Sequence, residues 1–129
     1  MILLPDGSVF IGGDDDGPDP CERYLPTYHN QPRPQITNAP PGITYGAPLT
    51  IQTPQAASTA EVLLVRPGAV THGFDMSQRA IELTIIASAA GSVDVSAPPN
   101  ANIAPPGFYL LFILDGNRVP SKGRWIHLI

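Results

Sequence analysis

The sequence predicts an all-β fold, an immunoglobulin-like antiparallel sandwich of about seven strands, and two observations carry this prediction. From Gln35 onward, short apolar runs recur with turn-forming residues between them. No segment of the chain keeps a helical apolar period over three turns. About seven short strands in roughly 95 residues is typical of an immunoglobulin-like sandwich.

The composition favours one globular domain and excludes several classes of partner. The chain has 129 residues, enough to bury a core, and 43% of them are hydrophobic against 14% charged. The formal net charge is −4 and the basic residues do not cluster, so we expect no nucleic-acid partner. No apolar run reaches the ~18 residues of a membrane span. The single cysteine, Cys21, excludes an internal disulfide.

The first 34 residues are predicted to lie outside the sandwich. Residues 1–13 have the pattern of a hairpin, with two apolar arms around a Pro-Asp-Gly turn. Two strands alone are marginally stable in water, so we expect this hairpin to be poorly ordered or to pack opportunistically. Residues 14–34 are predicted to be a linker, because they combine acidic residues with five prolines and show no periodicity. Residues 35–129 then form the sandwich domain.

The strands of the sandwich are placed between regular breakers such as Pro67-Gly68 and Pro105-Pro106-Gly107. The run 108–114 is apolar at every position, which predicts a central strand with its aromatic side chains between the sheets. Trp125 is expected to close the sandwich with one of its faces. The predicted strands lie near Gln35–Asn38, Leu49–Thr53, Glu61–Arg66, Arg79–Ile85, Ser92–Ala97, Phe108–Leu114 and Arg124–Leu128.

The residues that could carry chemistry concentrate in one long loop, residues 67–79, between two predicted strands. In its middle lies His72, which can ligate a metal or move a proton near neutral pH. The other histidines, His29 and His127, lie in the predicted linker and in the last strand. None of the three has the spacing of a self-contained zinc site. A lone loop histidine is also compatible with an ordinary surface residue, so both interpretations of His72 stay open at this point.

Two charged residues of the same loop have structural and functional interpretations. Asp75 could accept a hydrogen bond from the His72 ring, but an Asx-turn to the backbone amides of the loop is favoured. Arg79 is expected to clamp the exit of the loop through hydrogen bonds to carbonyls or to a carboxylate. The sequence contains no Gly-x-Ser-x-Gly elbow, and no catalytic residue is predicted.

Three segments of the chain resemble one protein family. Residues 3–13, Leu-Leu-Pro-Asp-Gly-Ser-Val-Phe-Ile-Gly-Gly, resemble the end of the last Kelch propeller blade in galactose oxidase and glyoxal oxidase. Residues 70–79, Val-Thr-His-Gly-Phe-Asp-Met-Ser-Gln-Arg, resemble a loop of the C-terminal domain of those enzymes. Residues 104–114 with Val119-Pro120-Ser121 resemble the closing strands of that domain. The chain therefore resembles the early-set, immunoglobulin-like domain of copper-radical oxidases, preceded by a remnant of the last blade.

This resemblance implies a role for the pair Thr71-His72. In the family, the histidine of this pair ligates copper at the end of a loop that enters the propeller, so His72 is implied as a copper ligand. Copper and a tyrosine cross-linked to cysteine then oxidise a primary alcohol or an aldehyde while O₂ becomes hydrogen peroxide. The resemblance further implies that the upstream Kelch propeller is the partner. It also implies an extracellular location and a carbohydrate or aldehyde substrate for the parent protein.

The other copper ligands of the family, a tyrosine-histidine pair, lie just upstream of the segment that matches residues 3–13. The cross-linked tyrosine and cysteine lie further upstream still. We therefore expect the chain to be one domain of a larger protein that, alone, binds copper weakly and turns over no substrate. The alternative interpretation is a non-catalytic immunoglobulin-like module of an extracellular Kelch protein, which binds carbohydrate or another protein.

Overall fold

A computed structural model of the chain describes residues 1–12, 21–77 and 79–129. These residues form strands and two 3₁₀ segments, Thr27–Asn30 and Ala56–Ser58, and the described part holds no α-helix. Accordingly, no helix in these ranges is long and apolar enough to cross a membrane. The strands are β1 (Ile2–Leu3), β2 (Val9–Gly12), β3 (Cys21–Tyr24), β4 (Gly42–Ile43), β5 (Pro48–Gln52), β6 (Thr59–Val65), β7 (Val70–Thr71), β8 (Phe74–Asp75), β9 (Ala80–Glu82), β10 (Ile85–Ala89), β11 (Ser92–Ser96), β12 (Gly107–Asp115) and β13 (Arg124–Leu128).

Two sheets pack face to face and confirm the predicted all-β sandwich. One sheet has the order β10-β11-β5 and the other the order β4-β13-β12-β6-β9. Every pair is antiparallel except β4 and β13, which run parallel at the edge of the larger sheet. The Pro-Pro-Gly breaker at 40–42 leads directly into β4. There the amides of His127 and Ile129 donate to the carbonyls of Pro41 and Ile43, which satisfies the edge of β13.

Inward-facing side chains from both sheets form one core. Side chains alternate across a strand, so every second residue enters this space from β5, β6, β11, β12 and β13. Strand β12 lies between β13 and β6, which confirms its predicted central position. The buried residues contributed by the strands include Leu49, Ile51, Val62, Leu64, Val93, Val95, Tyr109, Leu111, Ile113, Ile126 and Leu128.

The outer face of β12 carries a second apolar cluster. Leu110, Phe112 and Leu114 are buried there and pack against Leu3 of the N-terminal segment and Leu63 of β6. Strand β12 is therefore apolar on both faces because the N-terminal segment covers part of the outer face of the larger sheet.

The prediction for the aromatic side chains of β12 is confirmed for Tyr109 and wrong for Phe108 and Phe112. Tyr109 is fully buried between the sheets, but Phe112 belongs to the outer cluster and Phe108 is 60% exposed. Trp125 is 53% exposed and meets Phe108 edge to face, with ring centroids 6.5 Å apart. The prediction that Trp125 closes the sandwich is therefore wrong. Its neighbour Ile126 faces the core instead, because consecutive residues of β13 point to opposite faces.

The first twelve residues and part of the predicted linker form a separate three-stranded antiparallel sheet, β1-β2-β3. Strand β3 lies within residues 14–34, so that part of the predicted linker is regular structure, while residues 13–20 lie outside the described ranges. Arg33 fixes this sheet to the sandwich by donating to the carbonyls of Asp6, Pro120 and Ser121, at 2.5, 2.7 and 2.5 Å. The hairpin is thus paired and anchored, which agrees with the second of the two expected alternatives, packing on the rest of the chain.

Two other strand predictions differ from the structure. The predicted strand Arg79–Ile85 is two strands, β9 and β10, which belong to different sheets. The chain crosses between the sheets at Leu83, whose amide donates to the carbonyl of Val62, and at Thr84, whose carbonyl accepts from Ser96. The predicted strand 35–38 is reduced to an isolated bridge between Asn38 and Gln52.

Substituting Gly123 by alanine is expected to destabilise the fold by about 1–3 kcal/mol, the usual cost of overpacking. A Cβ atom there would lie 2.8 Å from Cζ of Phe112 and 3.2 Å from the Pro5 carbonyl oxygen. Urea unfolding of Gly123→Ala measures the loss. Gly116→Ala is the matched control, because a Cβ at Gly116 meets nothing within 4 Å. Equal stabilities of the two variants would contradict this prediction.

Candidate functional site

The long loop predicted at residues 67–79 contains a short hairpin, which we call the finger (residues 70–75). Strands β7 and β8 pair antiparallel, with Thr71 opposite Phe74. His72 and Gly73 form the two-residue turn between them and have φ angles of 49° and 78°. Positive φ at both positions defines a type I′ turn, whose twist matches that of a β-ribbon. The sequence did not reveal this hairpin, because His-Gly is not one of the usual Asn-Gly or Asp-Gly signals.

His72 lies exposed at the tip of the finger. Its Nδ1 is 2.8 Å from Oγ1 of Thr71. Within the described residues no further hydrogen bond engages the ring, so Nε2 is available to a group from outside this chain. An exposed imidazole with one nitrogen held and the other free is suited to ligating a metal.

Asp75 closes the base of the finger. Its Oδ1 accepts hydrogen bonds from the amides of Ser77, at 3.0 Å, and Ala69, at 2.9 Å. These two bonds stabilise the carboxylate and lower the pKa of Asp75 below its ordinary value, outweighing a small opposing effect of burial. The contacts confirm the favoured interpretation, in which Asp75 bonds to backbone amides of the loop.

Arg79 holds the chain where it leaves the loop. Its Nη1 donates to the carbonyl oxygens of Ile103, at 2.8 Å, and Asn102, at 3.4 Å. The predicted clamp to carbonyls is therefore confirmed, and it joins the base of the finger to the loop before β12. Gln78, which precedes Arg79, lies outside the described residues.

Because the folded pKa of Asp75 is lowered, the base of the finger is expected to loosen in acid. Its stabilising effect is complete above about pH 4, the ordinary carboxyl pKa, and is lost as the pH falls through the lower folded value. The amide proton shifts of Ala69 and Ser77, followed by NMR as the pH is lowered, report this change. In Asp75→Asn both shifts should stop titrating. A midpoint at or above the ordinary value would contradict the prediction.

Other potential ligands do not converge on His72. In residues 1–12, 21–77 and 79–129, no three His, Cys, Asp or Glu side chains come close enough together to hold a metal ion. His127 is stacked on Phe108 on the outer face of the larger sheet, and His29 is stacked on Tyr28. Cys21 is exposed and unpaired on β3. Among the residues that the structure describes, His72 is therefore a single donor.

The finger and Met76, which follows it, expose apolar side chains. Phe74 is 71% exposed and Met76 73%, and Val70 is exposed on the opposite strand. Ile103, in the loop that Arg79 holds, is exposed as well. Contiguous exposed apolar residues are typical of a contact surface. The tip of the finger thus carries a polar donor, and its flanks carry apolar groups.

Comparison with known proteins identifies the family to which the chain belongs. Residues 33–128 match the family described as "Galactose oxidase-like, Early set domain". The chain is 31% identical to aldehyde oxidase GLOX1 of Arabidopsis thaliana, with 99% of this chain and 25% of that protein covered. It is 32% identical to galactose oxidase of Gibberella zeae, with 98% of this chain and 20% of the enzyme covered.

Among solved structures, a fungal alcohol oxidase of the AA5 family in complex with copper matches with a TM-score of 0.83 and 24% identity. The match covers 98% of this chain and 29% of that one, and at this identity it shows the shared fold. The chain spans about a fifth to a quarter of the length of the curated relatives it matches. From the family match over residues 33–128, the chain belongs to the galactose oxidase-like early set domain family.

Proposed function

We propose that this chain is the C-terminal accessory domain of a galactose oxidase-like copper-radical oxidase and supplies His72 as one copper ligand. The observation that carries the proposal is the position of His72 at the exposed tip of a type I′ hairpin, where Oγ1 of Thr71 is hydrogen-bonded to its Nδ1. The two-residue turn on this paired ribbon leaves the His72 side chain exposed to solvent at the tip. We expect no catalytic residue in the domain itself.

The donor chemistry of His72 fits copper. Imidazole nitrogen is a common ligand of Cu(II), but one imidazole does not specify the metal, and the described residues offer no cluster of three donors. The remaining donors would come from the propeller of the same polypeptide, as the resemblance implies. When bound, copper would supply the redox chemistry that oxidises a primary alcohol or aldehyde with O₂ as acceptor. His72 would contribute binding and position.

The apolar flanks of the finger support insertion into a partner. Phe74 and Met76 are too exposed to contribute to the core of this domain, yet they lie two and four residues from His72. Burial of large apolar side chains contributes roughly 1.5–3 kcal/mol each. A channel in the upstream propeller would bury them while His72 reaches its far end. We propose the same propeller as the partner of this domain and an extracellular location for the parent protein.

The isolated chain is expected to bind Cu(II) weakly, because affinity comes from several convergent donors and His72 is alone. Titration calorimetry of the chain measures this, with His72→Ala as the matched variant. We expect no saturable one-to-one site in either protein. A tight site in the chain that His72→Ala abolishes would contradict this prediction and would place a complete copper centre within these 129 residues.

Peroxide release from the full-length, copper-loaded protein tests the proposed activity. A panel of primary alcohols, sugars with a primary hydroxyl and small aldehydes is offered with O₂, and peroxide is measured for each. Activity that disappears on copper removal and returns on reloading supports the proposal. A fully loaded protein that releases no peroxide with any member of the panel argues against it.

One observation favours a second candidate function, a non-catalytic carbohydrate-binding module. Phe108 and Trp125 are exposed on the outer face of the larger sheet, where their rings meet edge to face, and exposed aromatic rings can pack on sugars. The two functions are separated by the upstream sequence of the parent protein. Loss of the tyrosine-histidine pair before Ile2, or of the cysteine in an early blade, favours the binding module. Loss of glycan binding in Trp125→Ala would then support it directly.

A further inference from the structure

The contact between Thr71 and His72 is unusual for consecutive residues next to a strand. Side chains of neighbouring residues in a strand point to opposite faces of the sheet. Here Oγ1 of Thr71 and Nδ1 of His72 are 2.8 Å apart. The contact forms because His72 leaves β7 with a φ of 49°, and this left-handed backbone turns the ring back toward Thr71. The turn type and the side-chain pair are therefore coupled.

From this geometry we infer that Thr71 is a positioning residue for His72. Its hydroxyl oxygen holds the imidazole ring in one orientation by accepting a hydrogen bond from Nδ1–H, so that the lone pair of Nε2 is left for a metal. The inference rests on the proposed function for the identity of that metal as copper. The orientation of the ring is a property of this chain alone.

The chemistry of neutral imidazole explains why the acceptor matters. A neutral ring carries one N–H, so a proton on Nδ1 leaves Nε2 unprotonated. Ligating histidines generally donate through the second nitrogen to an acceptor, which fixes the tautomer and the ring orientation. Threonine is β-branched and has few χ1 rotamers, so its hydroxyl stays in place.

Asp75 also carries acceptor oxygens in the finger, but its recorded hydrogen bonds are from the amides of Ala69 and Ser77, and the one recorded for the His72 ring is to Thr71. Thr71 is therefore the side chain placed to orient the ring. Thr71→Val tests the hydrogen bond without changing the shape of the finger, because valine keeps the β-branched side chain and lacks only the hydroxyl. Thr71→Ser restores the hydroxyl and is the rescue variant.

NMR of the isolated, histidine-labelled chain gives the first readout, without copper and without activity. Contacts between the ring protons and the side chain of residue 71 report the ring orientation, and the ¹⁵N shifts of the ring report the tautomer. We expect one orientation with a protonated Nδ1 in the original chain and in Thr71→Ser, and an averaged orientation in Thr71→Val. Cross-strand contacts between residue 71 and Phe74 check that the hairpin stays formed. An unchanged ring in Thr71→Val overturns the inference.

Copper affinity of the full-length protein gives the second readout. Substituting a residue that orients a metal ligand typically lowers metal affinity about 10–100-fold. We therefore expect a loss of about that size in Thr71→Val and recovery in Thr71→Ser. If Thr71→Val binds copper normally while a variant without the His72 imidazole does not, the positioning role is overturned. If removal of the imidazole also leaves copper binding unchanged, the proposed function fails, whereas the hydrogen bond to the ring stands on the NMR result.

Discussion

Replacing His72 with asparagine is expected to deplete copper from the full-length protein and to lower peroxide release by at least about 100-fold. Substituting a residue that only orients a metal ligand lowers metal affinity or activity about 10–100-fold. Loss of the ligand itself should therefore reach or exceed the upper end of that range. Metal analysis of the purified protein and initial rates of peroxide release measure the two effects. This prediction depends on the proposed function.

Asparagine is the informative replacement because of the turn that His72 occupies. His72 and Gly73 both have positive φ, and Asn-Gly is the most favoured pair for a type I′ turn. His72→Asn therefore removes the imidazole while it preserves or strengthens the hairpin. Alanine would add a conformational cost at the same position, since it lacks the tolerance of asparagine for positive φ.

His127→Ala is the matched control for this experiment. His127 lies on the outer face of the larger sheet, where it stacks on Phe108 with ring centroids 4.6 Å apart. His127 is not part of the proposed copper site. The copper content of His127→Ala and its rate of peroxide release should therefore match those of the original protein. Full copper loading and activity in His72→Asn would remove the proposed role of His72.

Replacing Tyr109 with alanine is expected to destabilise the domain by about 3–5 kcal/mol, the range for truncating a buried aromatic residue. Tyr109 is fully buried between the sheets, and its hydroxyl donates to the Pro105 carbonyl at 2.6 Å. The guanidinium carbon of Arg66 lies 5.7 Å from the centre of its ring. Small domains are typically stable by 5–15 kcal/mol, so this change removes a large share of the total.

Urea unfolding of the isolated chain measures this loss, and the neighbouring residue provides the control. Phe108 occupies the adjacent position of β12 but is 60% exposed, so Phe108→Ala should cost far less. Tyr109→Phe keeps the ring and loses only the hydrogen bond to Pro105, which should cost about 1 kcal/mol. Similar losses in Tyr109→Ala and Phe108→Ala would show that the core is not where the structure places it.

Much of the fold could be predicted because its signals are local. Proline and glycine mark the turns, and the fully apolar run 108–114 marks the central strand. Part of the candidate site could also be predicted from local signals. His72 lies in a long loop between strands, and Asp75 and Arg79 bond to backbone groups as their side-chain chemistry suggests.

The rest could not be predicted because it depends on what covers each face. Alternation in a strand gives two faces but does not say which one a second layer will bury. Phe108, Phe112 and Tyr109 belong to one strand, yet one is exposed, one packs under the N-terminal segment and one fills the sandwich. The same limit applies to residues 79–85, where an unbroken alternation runs through a crossing between two sheets.

The sequence by itself determined the all-β class, the central strand, the loop that carries His72 and the family resemblance. These follow from residue types and their spacing. Only the tertiary structure decided that the loop is a finger with His72 at its tip and Thr71 against its ring. That arrangement depends on the positive φ angles of His72 and Gly73, which hydrogen bonds across the hairpin hold in place and which no local sequence signal announces.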